Sequence, residues 1–377
     1  MNKEIRTAII GYGNMGRRYA AAIRSHAIDG LRLTGICCRR DLVQQEIRRL
    51  YPEVSVYGDE AELFSHSDSY DALIIATPHR EHVRLAESAL LKGIHVLCEK
   101  PLGVSMLQAG RLTGIQRQSG AAFAMIFNWR TRPCYRRIKE IVEEGRLGRI
   151  SHVIWIANLW YRTPAYHRLG PWRSSWRGVG GGLLINQMQH IFDIWLWLFG
   201  MPDAVRAAVE FGKFSEIAVD DSADLLFEYE NGLRGICITS SGESPGSNHL
   251  EIHGSRGKLV ADQETLKLYV NEVSTEEFAG REDGALTGIP FTESELDLPE
   301  TKEEYAAILQ NFADHLLKGT ALTAPASAGL AALEMANGAY LAAWLGRRVE
   351  YPVDRELYER LLKQKENAQL HDETMPV

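Results

Sequence analysis

The sequence predicts an α/β N-terminal half with a parallel, doubly wound sheet, followed by an α+β C-terminal half with a large, mostly antiparallel sheet. Three observations carry this. Over the first 125 residues, short apolar strands alternate with amphipathic stretches, which implies parallel strands with helices on both faces. From Ile150 onward, strand-like runs follow one another without intervening helices. Asn231-Gly232 is a strong hairpin signal between two of those runs.

The elements follow in order. Thr7–Ile10, Leu31–Cys37, Val54–Tyr57, Ala72–Ala76, Ile94–Cys98 and Ala121–Ile126 read as the first six strands, with helical stretches such as Glu81–Leu91 between them. Ser151–Trp160, Ala204–Phe211, Ala223–Tyr229, Gly232–Ser240, His249–His253 and Lys258–Ala261 read as strands of the second sheet. Tyr305, Ile308, Leu309, Phe312 and Leu316 recur at helical spacing, and Ser327–Leu345 is an alanine- and leucine-rich helix. These readings divide the chain into residues 1–125, residues 126–365 and a loose tail over 366–377.

At 377 residues, with 45% hydrophobic and 24% charged residues, the composition is that of a globular protein of two or three domains. A net charge of -7 argues against nucleic acid or an anionic membrane as partner. The longest apolar run is interrupted by amides and Asp193, too early for a membrane span. The N-terminus leads almost at once into a strand, which leaves no room for a signal peptide. The five cysteines are odd in number and lack C-x-x-C spacing. Reduced thiols and a cytoplasmic location are the expectation.

Gly11-Tyr12-Gly13-Asn14-Met15-Gly16 lies directly after the first strand and opens a helical stretch at Arg17. In that context G-x-G-x-x-G is a phosphate-binding turn. The first glycine makes the turn, the second admits a pyrophosphate, and the third packs helix on strand. The helix N-terminus offers N–H groups to the anion. An NAD enzyme places an acid about 20 residues past this motif to hold the ribose hydroxyls. Here the second strand ends Cys37-Cys38-Arg39-Arg40-Asp41. A cysteine stands where the acid is expected, and arginine pairs with a 2′-phosphate. NADP(H) is therefore expected over NAD(H), with Asp41 pulling the other way.

A second informative stretch is Gly180-Gly181-Gly182 followed by Leu183–Phe199, apolar except for Asn186, Gln187, Gln189, His190 and Asp193. Read as one helix at roughly 100° per residue, it sets Asn186, His190 and Asp193 on one face. A polar stripe on a buried helix, entered through glycines that allow close approach, reads as one wall of an active site. A satisfied core histidine is the plainer alternative.

Cys98-Glu99-Lys100-Pro101, Ala76-Thr77-Pro78, the run from Ala89 to Val96, Asn128-Trp129-Arg130 and Gly145–Ile150 complete a pattern. With the two glycine motifs, they make nearly the whole chain resemble the Gfo/Idh/MocA oxidoreductases, which include glucose–fructose oxidoreductase and inositol dehydrogenases. The resemblance implies a Rossmann domain followed by a domain whose large open sheet builds homodimers or homotetramers. It implies that Lys100 and His190 are catalytic. A proton must leave with the hydride, and burial lowers a lysine's pKa toward that task. It implies cofactor contacts from Gly11, Gly13, Asn14, Met15, Gly16, Cys38, Arg39, Arg40, Thr77, Pro78, His82, Glu99 and Lys100. Many members carry Asp four residues before the histidine, but here the residue is Asn186. An amide cannot take a proton at neutral pH, so Asn186 is expected to position substrate. Asp193 reads as structural.

Between Trp160 and Gly180 lie Arg162, Arg168, Arg173 and Arg177 and no acid, together with Trp160, Tyr161, Tyr166, Trp172 and Trp176. Aromatic faces suit the C–H side of a sugar or cyclitol, and arginines suit an anionic group. Tyr161, Trp172, Arg173 and Arg130 are thus candidate substrate contacts, and a polyhydroxylated, acidic ring is the candidate substrate. Salt bridges across a subunit interface are the alternative for the arginines. His249, Glu251 and His253 share a strand face, yet no metal is expected. The leading function is an NAD(P)-dependent dehydrogenase of a secondary alcohol. The alternatives are a glycoside hydrolase with transient redox chemistry and a nucleotide-sensing regulator of the same fold.

Overall fold

The computed structural model describes residues 4–263, 265–281, 287–300 and 303–371. It divides into two compact units, Met1–Thr131 with Lys302–Leu333, and Arg132–Thr301 with Glu334–Val377. The division differs from the sequence expectation, because residues 302–333 return to the first unit. The Met125 amide donates to Ala324 O at 2.9 Å, Asn128 donates to the Glu304 carboxylate at 2.5 Å, and Gly329 packs on Met125.

The first unit holds a six-stranded sheet in the order β3-β2-β1-β4-β5-β6. The strands are β1 (Ile5–Ile10), β2 (Leu31–Cys37), β3 (Ser55–Tyr57), β4 (Ala72–Ile75), β5 (His95–Cys98) and β6 (Phe123–Met125). Every pairing is parallel. The central strand β4 is buried at every position, as expected of a strand covered on both faces. The order reverses between β2-β1 and β4, which creates the crevice where such sheets bind ligands, beyond the carboxyl ends of β1 and β4.

The second unit holds a nine-stranded sheet in the order β14-β13-β12-β11-β7-β10-β9-β8-β15. Its strands are β7 (Ile150–Ala157), β8 (Ala204–Phe211), β9 (Asp220–Glu228), β10 (Arg234–Ser240), β11 (Asn248–Gly254), β12 (Gly257–Asp262), β13 (Thr265–Asn271), β14 (Phe291–Glu295) and β15 (Val349–Glu350). All pairings are antiparallel except β7 with β10. Asn231-Gly232 does make the β9–β10 turn, with Gly232 at φ +90° and Asn231 Oδ1 accepting from the Leu233 amide. One face is buried, with Trp195 lying over Gly235 and stacking on Trp155. The other face leaves Ile236 and Ile238 exposed.

Two expectations are corrected. The run after the triple glycine is two helices, Leu183–Asn186 and Gln189–Phe199. The amides of Gln187 and Met188 both donate to Leu183 O, at 2.9 and 3.0 Å. Gln189 Nε2 donates to Leu184 O at 3.2 Å, the carbonyl that the Met188 amide would use in an unbroken helix. The expected loose tail is helical through His371, because Arg355–His371 is one helix that buries Tyr358 and Leu362. The rest of that tail, 372–377, lies outside the described residues.

Candidate active site

The glycine turn is shaped by what surrounds it. Gly11 has φ +94°, and a Cβ there would lie 2.4 Å from Ala76 O. A Cβ on Gly16 would lie 2.0 Å from Gly11 O, whereas one on Gly13 would meet no atom within 4 Å. The outer two glycines thus serve the fold, and Gly13 faces open space. Gly13 also begins the helix Asn14–Arg24, whose first turn carries no side-chain cap and no acid. That helix end, with Asn14 and Met15 in its first turn, is suited to an anion. Next to it, Thr77 Oγ1 is buried with no hydrogen-bond partner, while Pro78 precedes the helix His79–Leu91. An open cradle, an uncapped helix end and an orphaned hydroxyl fit a dinucleotide.

At the end of β2, Cys38 is buried and its carbonyl accepts from Gln44 Nε2. Arg40 reaches back to the glycine turn, donating to Tyr12 O at 3.3 Å. Arg39 is exposed, 3.7 Å from Glu60. Asp41 begins the helix Asp41–Leu50, where an acid favours the helix dipole.

Lys100 follows β5 and joins Pro101 through a cis peptide bond. Glu99 is buried; it accepts from the hydroxyl of Tyr19, which lies in the helix behind the glycine turn, and from the Lys100 amide at 3.1 Å. Burial raises the Glu99 pKa above the ordinary value, against the Tyr19 hydrogen bond and the Lys100 charge. Glu99 therefore supports the backbone at Lys100. His82, expected at the cofactor, is fully buried with its two ring nitrogens on the carbonyls of Pro101 and Thr77. It ties together two turns instead of presenting a nitrogen to a nucleotide. Arg130, expected at the substrate, is also buried, and its Nη1 donates to Thr323 O at 3.0 Å. It acts as a strut of the first unit.

In the second unit the triple glycine admits the protein's own groups. A Cβ on Gly181, at φ +151°, would lie 2.1 Å from Tyr340 Oη, and one on Gly182 would lie 2.1 Å from Asp220 O. Asp220 accepts from the amides of Gly182 and Leu184, each at 2.7 Å, and from the Tyr340 hydroxyl at 2.5 Å. Burial raises the Asp220 pKa, and these three donors pull it back. This clamp fixes the start of the helix that ends at Asn186. His190 lies in the first turn of the next helix, 7% exposed, and Asp193 is fully buried one turn on. The sequence reading missed Asp220 and Tyr340, which lie 38 and 158 residues from Gly182. It also passed over Gln187, whose Oε1 is buried without a partner.

The aromatic segment divides. Trp176 is core, its indole N–H donating to Ala218 O at 2.9 Å. Tyr161 and Trp172 are 53% and 39% exposed. Arg162 lies over Tyr166 and Arg173 over Trp172, 4.5 and 4.6 Å from the ring centres. Among the described residues, Arg162, Arg168, Arg173 and Arg177 pair with no carboxylate. On β11, Glu251 receives His253 at 2.9 Å, and no group of three or more His, Cys, Asp or Glu among the described residues is arranged to hold a metal.

The first unit's sheet order, glycine cradle and helix end define a dinucleotide-binding domain of the doubly wound type. Residues 5–127 match the model of the oxidoreductase family with NAD-binding Rossmann fold, and residues 135–260 match the GFO/IDH/MocA C-terminal domain. The chain belongs to the Gfo/Idh/MocA family and is an NAD(P)-dependent oxidoreductase. It is 25% identical over 278 residues to myo-inositol 2-dehydrogenase of Thermotoga maritima, covering 71% of this chain and 79% of the relative. It is 25% identical over 343 residues to the NADP(+) scyllo-inositol 2-dehydrogenase IolW of Bacillus subtilis, covering 89% and 92%. The fold is shared with the WlbA dehydrogenase of Bordetella pertussis, solved in complex with NADH and UDP-GlcNAcA. The TM-score is 0.77 at 21% identity, covering 93% of this chain and all of that one. No helix among the described residues is long and apolar enough to cross a membrane.

Proposed function

We propose that the protein moves a hydride between NADP(H), in preference to NAD(H), and a secondary alcohol of a polyhydroxylated, acidic ring such as a sugar acid or cyclitol acid. The observation that carries the substrate reading is the set of four arginines between Trp160 and Gly180 without a carboxylate partner among the described residues. Unpaired guanidinium groups beside exposed aromatic faces are suited to an anionic ring. WlbA, solved with UDP-GlcNAcA, supports an acidic ring, and the inositol dehydrogenases support a polyhydroxylated one. Three features support NADP(H). Cys38 occupies the position of the ribose-binding acid, Arg40 lies against the glycine turn, and Asp41 serves a helix end.

Gly13 and the amides after it would hold the pyrophosphate, on the turn that Gly11 and Gly16 allow to close, and Arg39 and Arg40 the 2′-phosphate. The bound nicotinamide supplies the hydride acceptor or donor. Lys100 exchanges the hydroxyl proton, assisted by His190, while Asn186 orients the substrate through its amide. Tyr161, Trp172 and Arg173 hold the ring. Free cysteines among the described residues support a reducing, cytoplasmic setting. The exposed face carrying Ile154, Ile156, Ile236 and Ile238 supports a homodimer or homotetramer.

The test is NADPH and NADH formation by the purified protein with sugars, sugar acids and inositols, run beside Lys100→Met. Turnover of acidic rings with NADP+, reduced about 10²- to 10⁴-fold in the variant, is the expected result. Equal turnover of neutral and acidic rings would sink the acidic assignment. Tight nucleotide binding without net turnover would point instead to the transient-redox hydrolase or the sensor.

A further inference from the structure

We propose that His82 is a proton-dependent positioning residue, whose imidazolium joins the turn carrying Thr77 and Pro78 to the turn carrying Lys100. The argument starts from hydrogen-bond chemistry. His82 Nδ1 lies 2.6 Å from Pro101 O and Nε2 lies 2.7 Å from Thr77 O. Both partners are carbonyl oxygens and can only accept. A neutral imidazole has one N–H and one lone pair. It can satisfy one carbonyl, and its second nitrogen then sets a lone pair against the other. Only the imidazolium donates to both, and charge-assisted bonds are the stronger kind. The side chain is fully buried, so no water reaches the ring itself to relieve a lone pair set against a carbonyl oxygen.

The surroundings place the switch on the acid side. Burial, the largest influence, lowers the ring's pKa, and the Pro101 and Thr77 carbonyls raise it. The Lys100 ammonium lowers it and the Glu81 carboxylate raises it. The His79 ring packs 6.0 Å away on the same helix. The double bridge therefore exists below the His82 pKa and is lost as pH rises through it. One of the two turns is then released.

The consequence for nucleotide binding rests on the dehydrogenase reading; the protonation state does not. The first measurement is ¹⁵N NMR of the His82 ring in the native wild-type protein across pH. Alongside it, NADPH and NADH affinities are read by fluorescence titration over the same range. The expected result is protonation of both ring nitrogens on the acid side and a single neutral tautomer above it. Nucleotide affinity should fall about tenfold with the same midpoint. His82→Gln, which donates to one carbonyl without titrating, should bind weakly with that pH step removed. If the variant does not fold, the wild-type titrations decide alone. A neutral single tautomer at every pH where the protein is native overturns the proposal. So does a His82 titration that leaves affinity unmoved, or a His82→Gln variant that keeps the step. Failure of every substrate in the dehydrogenase assay would leave the ring titration standing, which separates the two readings.

Discussion

Single residues in this protein were legible where chemistry is carried by local pattern. The glycine turn was singled out from its neighbours in sequence, and it has the surroundings a phosphate-binding turn needs. Residues whose meaning comes from distant partners were misread. The openness expected beside Gly181 and Gly182 is filled by Tyr340 and Asp220, His82 sets both ring nitrogens on backbone carbonyls, and Arg130 donates from Nη1 to Thr323 O. Glu99 offers a test at this scale. Its native pKa is raised above 4.5, mainly by burial, so its proton-bound form is favoured by folding. That contribution is complete below about pH 4.5 and is lost as pH rises through the native value. Tyr19→Phe removes the donor that holds the value down. Denaturant unfolding followed across pH should then show a loss of about 1–3 kcal/mol above the native Glu99 value and a smaller loss below it. Equal losses at both would mean that Glu99 does not titrate with folding.

Elements were read well where hydrophobic period and turn chemistry agreed. The six parallel strands and the Asn231-Gly232 hairpin are of this kind. Strand β14 was not anticipated, because it is an edge strand exposed along its whole length and carries no inward alternation to detect; β13, which buries Leu266 and Leu268 in alternation, was legible and was passed over. The break between Leu183–Asn186 and Gln189–Phe199 was equally hidden. Helical periodicity runs through it, and what interrupts the ladder is one side-chain amide on Leu184 O. Gln189→Leu keeps the volume and removes that donor. The expected outcome is a loss of about 1–3 kcal/mol in denaturant unfolding and a lower kcat, since Asn186 and His190 lie on opposite sides of the break. Unchanged stability would show that the Gln189 amide contributes nothing to the break.

For the whole molecule, the exposed face of the second sheet sets the prediction. Ile154 pairs in register with Ile236, and Ile156 with Ile238, so that four isoleucines form one block on adjacent strands. A contiguous apolar patch of this kind marks an interaction surface. Replacing Ile236 and Ile238 together by Lys should convert the proposed oligomer to monomer, as read by light scattering after size exclusion. The helices on the opposite face, and with them the secondary structure, should persist. An unchanged mass would exclude this face as the contact.

The return of residues 302–333 to the first unit bears on how the protein is made. Synthesis delivers β1–β6 before the second sheet, yet the helix Glu304–Lys318 and the residues up to Leu333 that complete that unit emerge only after most of the second sheet. Until then the surfaces awaiting Ile308, Leu309 and Phe312, which are buried in the finished unit, stay uncovered on a nascent chain. The nucleotide-binding half, whose strands are made before the second sheet, is therefore able to close only after most of that sheet has been made. Any truncation before residue 333 strands it incomplete, however intact its glycine turn.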